Sequence, residues 1–376
     1  MQTFIAELIV TERCNLRCPY CYVKNRNRSM TFDTFKECLK QLHVFTKQSG
    51  CQDFGLTFFG GEPLINFDLI KQAVPVLKKD PLCKFFHIVS NMTLIDEEKV
   101  KWLKENNVPI SWSFDGLSSP VSRPLLKMPE NIDPRTGKQF KNILELYEYK
   151  KDLIFQLVRN ECKVMICPEN CRDLVENFKF FINYGINCPD FTLVRDDIWT
   201  EEDIKAFDKS MVDLADYYIA EVKKGKIISN GFYRLCFLDT IFGLTKGKRH
   251  LGCFACTHGC AITPSGDFYP CERFAAKDIL KYDSDYDFDF FKQTCDTHKY
   301  KKCQECDLYQ VCNMGCLYTQ FRNGNEPIDS FCELEHIIYE QTFRVIHELK
   351  DDPTFKKIVH MWFNSVETSF KRGNKK

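Results

Sequence analysis

Three cysteines stand close together near the start of the chain, in Cys14-Asn15-Leu16-Arg17-Cys18-Pro19-Tyr20-Cys21. Thiolates are soft donors that suit iron and zinc. Three of them can hold three irons of a cubane iron–sulfur cluster and leave the fourth iron with an open coordination position, which is where chemistry happens. A structural zinc loop with a distant fourth ligand is the other reading of the triplet alone. Further on, Phe58-Phe59-Gly60-Gly61-Glu62-Pro63 follows an apolar run. Paired glycines at the carboxyl end of a strand let the backbone approach a ligand closely, and a carboxylate beside them can receive an ammonium group. A second set of thiols comes late in the chain: Cys253, Cys271, Cys303, Cys306, Cys312, Cys316 and Cys332.

These motifs need elements to hold them. The first half alternates short apolar runs with helical periodicity, the pattern of a parallel sheet with crossover helices. Strands are predicted at residues 4–10, 56–59, 85–90, 109–113, 162–166 and 191–194. Helices are predicted from Thr31 as N-cap to Gly50, over 69–79 with a break or bend at Pro75, and over 96–106 and 142–151. Two more are opened by Asn170 and by Thr200, whose Thr-Glu-Glu-Asp start resembles a capping box. Six strand–helix units are fewer than the eight of a closed barrel, so the expected fold is α/β with an open, partial (β/α)6 barrel. Loops at the carboxyl ends of parallel strands converge on one face, which would set the Gly-Gly-Glu turn beside the cysteine loop.

The alternation stops near Gly225, read as the C-terminal glycine of the last helix. From Leu251 to Cys332 the chain is rich in Cys, Asp and Tyr and includes a hairpin from Ala261 to Pro270, the composition of a small domain held by metal. Helices return over 333–369, divided near Pro353. The expected divisions are a core domain at 1–225, a linker and helix at 226–250, a metal-rich domain at 251–335 and C-terminal helices at 336–376.

The 376 residues carry 52 Lys and Arg against 52 Asp and Glu, and 21 Cys against 8 His. A chain of this length can build a large core and has no need of a disulfide scaffold. Its first residues lack the basic and apolar regions of a signal peptide. No apolar run approaches the roughly 18 residues of a membrane-spanning helix, so no membrane partner is expected. A cytoplasmic, reducing location is expected, where clustered thiols bind metal rather than one another. Balanced charge argues against nucleic acid as a partner, and a monomer is expected.

Cys14-x3-Cys18-x2-Cys21 and Gly60-Gly61-Glu62-Pro63 together resemble the signature of the radical S-adenosylmethionine (radical SAM) enzymes. The resemblance implies a [4Fe–4S] cluster on Cys14, Cys18 and Cys21 whose unique iron binds SAM. Reduction there yields methionine and a 5′-deoxyadenosyl radical, which abstracts a hydrogen from the substrate. It also implies that Tyr20 flanks the adenine and that Gly60, Gly61 and Glu62 receive the methionine amino group. Asn91, Ser113 and Asp115 are looser strand-end matches, with Ser113 for the ribose hydroxyls, and Arg195 suits the SAM carboxylate. Plain loop capping is the other reading of each.

The late cysteines, with Gly266-x4-Cys271 and Cys303-x2-Cys306-x5-Cys312-x3-Cys316, resemble the SPASM extension of the same family. That implies two auxiliary [4Fe–4S] clusters, three clusters in all. Carried over, Cys303, Cys306, Cys312 and Cys332 hold the outer one, and Cys253, Cys271 and Cys316 the inner one. Cys256 is favoured over Cys260 as the fourth inner ligand; a three-cysteine inner cluster that takes a substrate thiolate is the alternative. A zinc ribbon is the other reading of 303–316. The ten other cysteines complete no ligand spacing and are expected to pack as small apolar side chains.

Enzymes of this arrangement typically modify peptides or proteins, with a flavodoxin or ferredoxin as electron donor. One branch matures ribosomally made peptides (RiPPs) by thioether or carbon–carbon cross-links, and the stretch from Gly266 to Phe274 looks more like it. Many of its members carry an N-terminal winged-helix domain, which is not expected here because the first strand leads straight into Cys14. The other branch oxidises a Ser or Cys of a sulfatase to formylglycine. There an Asp base follows the Gly-x4-Cys cysteine and a Gln precedes Gly-Gly-Glu-Pro; here these are Glu272 and Phe59. Glu272 can make the same proton transfer, whereas an aromatic cannot replace an amide. RiPP cross-linking is therefore the first expectation, sulfatase maturation the second, and a non-catalytic metal-binding scaffold a third.

Overall fold

A computed structural model describes residues 3–158, 161–196, 198–246, 253–255, 258–282, 300–312, 316–324 and 326–371. In chain order the main elements begin β1 (Thr3–Thr11), α1 (Phe32–Gln48), β2 (Asp53–Gly60), α2 (Phe67–Lys79), β3 (Cys83–Ser90), α3 (Glu97–Glu105), β4 (Ile110–Trp112) and α4 (Ile143–Phe155). They continue as β5 (Glu161–Ile166), α5 (Leu174–Tyr184), β6 (Cys188–Leu193), α6 (Glu201–Lys223) and α7 (Gly231–Lys246). Last come β7 (Gly259–Ile262), β8 (Phe268–Tyr269), α8 (Glu272–Lys277), α9 (Leu317–Arg322), α10 (Asp329–Leu349) and α11 (Pro353–Lys371). None of the described helices is long and apolar enough to cross a membrane. The chain forms two compact units, one from residues 1–113, 119–159 and 254–294, the other from 114–118, 160–253 and 295–376.

The first unit is built on one six-stranded sheet in the order β8-β7-β1-β2-β3-β4. Its strands are parallel except β8, which returns antiparallel on β7 with Phe268 opposite Ile262. Parallel strands are covered on both faces and read as near-continuous apolar runs; in β2, Phe54, Leu56 and Phe58 on one face and Thr57 on the other are all buried. Helix α1 starts as expected at Thr31, whose side chain accepts from the Thr34 N–H, and turns Phe35, Cys38, Leu42 and Phe45 inward along one face. Helix α2 runs unbroken through Pro75. Pro75 lies on its exposed side, where water can satisfy the carbonyl that loses its partner. The hairpin expected at 261–270 is present, with Gly266 in the left-handed region at φ 88°.

In the second unit β5 and β6 pair in parallel from Glu161 opposite Cys188 to Ile166 opposite Leu193. Helix α6 carries the full capping box, Thr200 and Asp203 each bonding the other's backbone N–H, and Gly225 follows it at φ 87°. Helices α10 and α11 divide at Pro353 as predicted. Asn170 corrects an expectation. It makes no cap; its Oδ1 accepts from Cys167 N–H at 2.8 Å, and its Nδ2 donates to Met165 O at 2.9 Å and Ser118 Oγ at 3.1 Å. The helix starts later, at Leu174, because the side chain that would cap it is spent bracing the loop.

All six predicted strands therefore exist. Among the described residues, four of them share one sheet with the hairpin added at its β1 edge, and the other two pair with each other.

Candidate functional site

Cys14, Cys18 and Cys21 lie on the loop that leaves β1. That loop is tied along its backbone to residues 124–126: Arg17 N–H donates to Pro124 O at 2.9 Å, Leu126 N–H to Asn15 O at 3.1 Å, and Leu16 bridges Leu125. Buried amides reinforce it. Asn15 Nδ2 donates to Thr93 Oγ1 at 2.7 Å and to Asn131 Oδ1 at 2.8 Å, while Asn91 Nδ2 donates to Asn15 Oδ1 at 3.1 Å. Asn131 Nδ2 donates to Asn15 O and Leu126 O, both at 2.8 Å. From another side Asn25 grips the Cys14 peptide, accepting from its N–H at 3.3 Å and donating to its carbonyl at 3.1 Å. The backbone is held while the thiols of Cys14 and Cys18 stay half-buried and Cys21 stays exposed. Burial, then the charge of Glu62, pushes the Cys14 thiol far above its ordinary range.

The Gly-Gly-Glu turn packs on the same loop. Gly61 N–H donates to Thr11 O and Glu62 N–H to Arg13 O, each at 2.8 Å. A Cβ on Gly60 or on Gly61 would meet those carbonyl oxygens at 2.2 Å, and Gly60 holds φ 140°. The close approach that the paired glycines permit is thus to the chain's own backbone. Glu62 is fully buried, and its Oε1 accepts from Leu64 N–H at 3.0 Å and Ser90 Oγ at 2.7 Å, its Oε2 from Asn91 N–H at 2.8 Å. Ser113 N–H donates to Ser90 O at 2.9 Å, which brings the ends of β3 and β4 together. Tyr20 has the guanidinium of buried Arg123 5.6 Å from its ring centroid.

Glu272, at the start of α8, meets the same loop. Its Oε1 accepts from Tyr22 Oη at 2.8 Å, the residue after Cys21. Phe59 stacks near Tyr22 at 6.5 Å between ring centroids, and the Arg273 guanidinium stands 5.4 Å from the Tyr22 ring. Glu7 of β1 completes the group: burial, then the charge and hydrogen bond of Glu272, push its carboxyl well above the usual range.

Two of the residues expected at the SAM site, Asp115 and Arg195, fall in the second unit. Buried Asp115 accepts from Met165 N–H at 2.9 Å. Arg195 pairs with Glu335 at 2.9 Å; burial works against its charge, but Glu335 and the Cys316 and Cys312 thiols hold the guanidinium still more firmly protonated. Cys303, Cys306, Cys312, Cys316 and Cys332 line one cavity of about 390 Å³ together with His336. Cys253 belongs to the second unit and Cys271 to the first. Cys256 lies outside the described residues. Of the expected packing thiols, Cys38, Cys51, Cys162, Cys167, Cys171, Cys236 and Cys260 are buried; Cys295 is outside the described residues.

The sequence profile described as "Radical SAM superfamily" matches residues 8–158. An uncharacterized protein of Methanocaldococcus jannaschii, MJ0907, is 30% identical over 226 residues, which are 58% of this chain and 74% of that one. The chain belongs to the radical SAM superfamily. Other relatives are less identical but match over a longer stretch. A cysteine-type anaerobic sulfatase-maturating enzyme of Clostridium novyi is 23% identical over 363 residues, 88% of this chain and 92% of that protein. The radical SAM cyclopropyl synthase TigE of Paramaledivibacter caminithermalis is 22% identical over 287 residues, 71% of this chain and 57% of that protein. Among solved structures, anSMEcpe with bound AdoMet superposes with a TM-score of 0.67 at 18% identity, covering 95% of this chain and 98% of that one. SuiB of Streptococcus suis bound to S-adenosylmethionine gives 0.54 at 17% identity over 86% and 75%.

The radical SAM superfamily binds SAM and a [4Fe–4S] cluster, and the residues of the first loop fit them. The donors are three thiols on a loop with a fixed backbone. A thiol such as Cys14, made costly to ionise by burial, is one that a cationic iron would deprotonate on binding. The features that the sequence reading missed are those that hold this loop: Asn15, Asn25, Asn131 and Arg123, along with Glu7 and Tyr22 beside Glu272. Asn15 lies inside the cysteine motif, yet nothing in its spacing separates a bracing amide from a loop residue.

Proposed function

We propose that this radical SAM protein modifies a peptide, forming a thioether or carbon–carbon cross-link in a ribosomally made precursor. The observation that carries peptide modification is the 2.8 Å bond from Tyr22 to Glu272, which ties a carboxylate to the residue beside Cys21; Phe59, stacked near Tyr22 where the sulfatase branch has a Gln, is what favours cross-linking. When bound, SAM and the cluster on Cys14, Cys18 and Cys21 supply hydrogen-atom abstraction. To complete the cross-link the peptide residue must then lose one proton and one electron; Glu272 is the group suited to take the proton, and the proposed auxiliary clusters would take the electron. Glu62 is assigned to the SAM amino group: a carboxylate offers about four acceptor sites, and three donors are already engaged. Gly60 and Gly61 keep the turn close to the cysteine loop, with Tyr20 at the adenine and Ser113, Asn91 and Asp115 around the nucleoside. For the SAM carboxylate, Arg123 suits the geometry better than Arg195. Arg195 is engaged by Glu335, whereas Arg123 stands beside Tyr20 and its charge partly offsets the burial that raises the Cys21 thiol and the Glu62 carboxyl.

The second set of thiols supports a pair of auxiliary clusters, three [4Fe–4S] clusters in total. Cys303, Cys306, Cys312 and Cys332 are assigned to the outer one and Cys253, Cys271 and Cys316 to the inner one. For the fourth inner ligand, complete burial of Cys260 within β7 favours Cys256. A flavodoxin- or ferredoxin-type protein would supply electrons. A second reading, formylglycine formation on a sulfatase, is supported by a likeness to the Clostridium novyi enzyme that spans 92% of its length.

The test is anaerobic reconstitution with iron, sulfide, dithionite and SAM, offering a cysteine-containing precursor peptide and a sulfatase peptide in parallel. A product that loses two hydrogens and keeps its sulfur supports cross-linking. An aldehyde in place of the thiol supports the second reading, and the absence of 5′-deoxyadenosine from protein loaded with about twelve irons, three cubanes' worth, defeats both.

A further inference from the structure

Helix α10 carries Cys332 and His336 one turn apart, so both project from the same face. His336 reaches across to the loop between Cys303 and Cys312: its Nε2 lies 3.5 Å from Cys306 Sγ, a sulfur hydrogen-bond distance. On its other side Nδ1 stands 3.7 Å from Asp307 Oδ1. The imidazole is 46% exposed and Asp307 82% exposed, so this is the solvent-facing rim of the thiol cavity. Cys303, Cys306, Cys312 and Cys332 already give a cubane its four ligands, so the ring is not required as a fifth.

We infer that His336 is a positioning residue for the outer cluster, donating its Nε2–H to the Cys306 sulfur and raising the reduction potential of that cluster. The inference rests on the reading of these thiols as cluster ligands. A hydrogen bond to sulfur stabilises the more negative, reduced cluster more than the oxidised one.

The experiment uses the full chain with Cys14, Cys18 and Cys21 replaced by Ala, so that only the auxiliary sites load. Iron and acid-labile sulfide are counted, and the clusters are titrated by EPR without SAM. In this background His336→Ala is expected to keep its full iron and to move one of two potentials downward, while the other serves as an internal reference. His336→Gln, which retains an N–H donor, is expected to recover part of the shift. Equal potentials in all three proteins overturn the inference, as does loss of iron from His336→Ala, which would make the ring a ligand. Zinc, or no iron, in the parent protein overturns the cluster reading itself and the inference with it.

Discussion

Asn15 and Asn131 bond to each other twice: Asn15 Nδ2 donates to Asn131 Oδ1 at 2.8 Å, and Asn131 Nδ2 donates to the Asn15 carbonyl at 2.8 Å. Both residues are fully buried. The reciprocal pair fastens the cysteine loop to a segment 116 residues away. Removing one partner strands buried polar groups at about 1–3 kcal/mol each. Asn131→Ala should therefore lower unfolding stability by about 2–4 kcal/mol and speed loss of iron from the first loop to a chelator. Urea unfolding and timed iron release check this, and unchanged release would show that the pair does not hold the loop.

Glu62 gives a pH dependence. Burial pushes its carboxyl up to about 7, against the hydrogen bonds from Leu64, Asn91 and Ser90 and the charge of Arg123, which pull it down. The folded chain thus holds this proton more tightly than the unfolded chain, whose ordinary value is 4.5. The stabilisation is fully present below pH 4.5 and is lost as pH rises through 7, by on the order of 3 kcal/mol. In the SAM-free protein, wild type should lose stability relative to Glu62→Gln across that window. Parallel stability profiles for the two would refute the shift.

Replacing Cys14, Cys18 and Cys21 together by Ala should abolish 5′-deoxyadenosine formation and leave about eight irons per chain, two cubanes' worth. Retained SAM cleavage would refute the assignment of this triplet.

Glu272→Gln keeps an acceptor for Tyr22 but takes up no proton. Peptide product should fall by about 10²-fold or more, the ordinary range for a lost general base, while uncoupled SAM cleavage continues. An unchanged product yield under saturating SAM removes Glu272 from the proton path.

The parts of the fold legible in the sequence are those with local signals. Apolar runs marked all six strands, Thr31 and Thr200 marked helix starts, and cysteine spacing picked out the five late thiols that line one cavity. Asn170 shows the limit: the same side chain can cap a helix or brace a loop, and the choice depends on Ser118, far away in sequence. The grip of Asn131 on Asn15 and the proximity of His336 to Cys306 leave no periodic trace at all, because each is a single long-range contact. The paired glycines were read as a close approach to a ligand; that they also pack against the backbone of Thr11 and Arg13 could not be read from composition.

The parallel pairing of β1 with β7 sets Ile5 opposite Gly259. A ribosome adding roughly 5–20 residues per second must work for tens of seconds between the two. Throughout that time the backbone groups of β1 that pair with β7 have no native partner. The strand that covers this edge of β1 is thus among the last parts of the sheet to be made, and closure of the sheet at β1 has to wait for it.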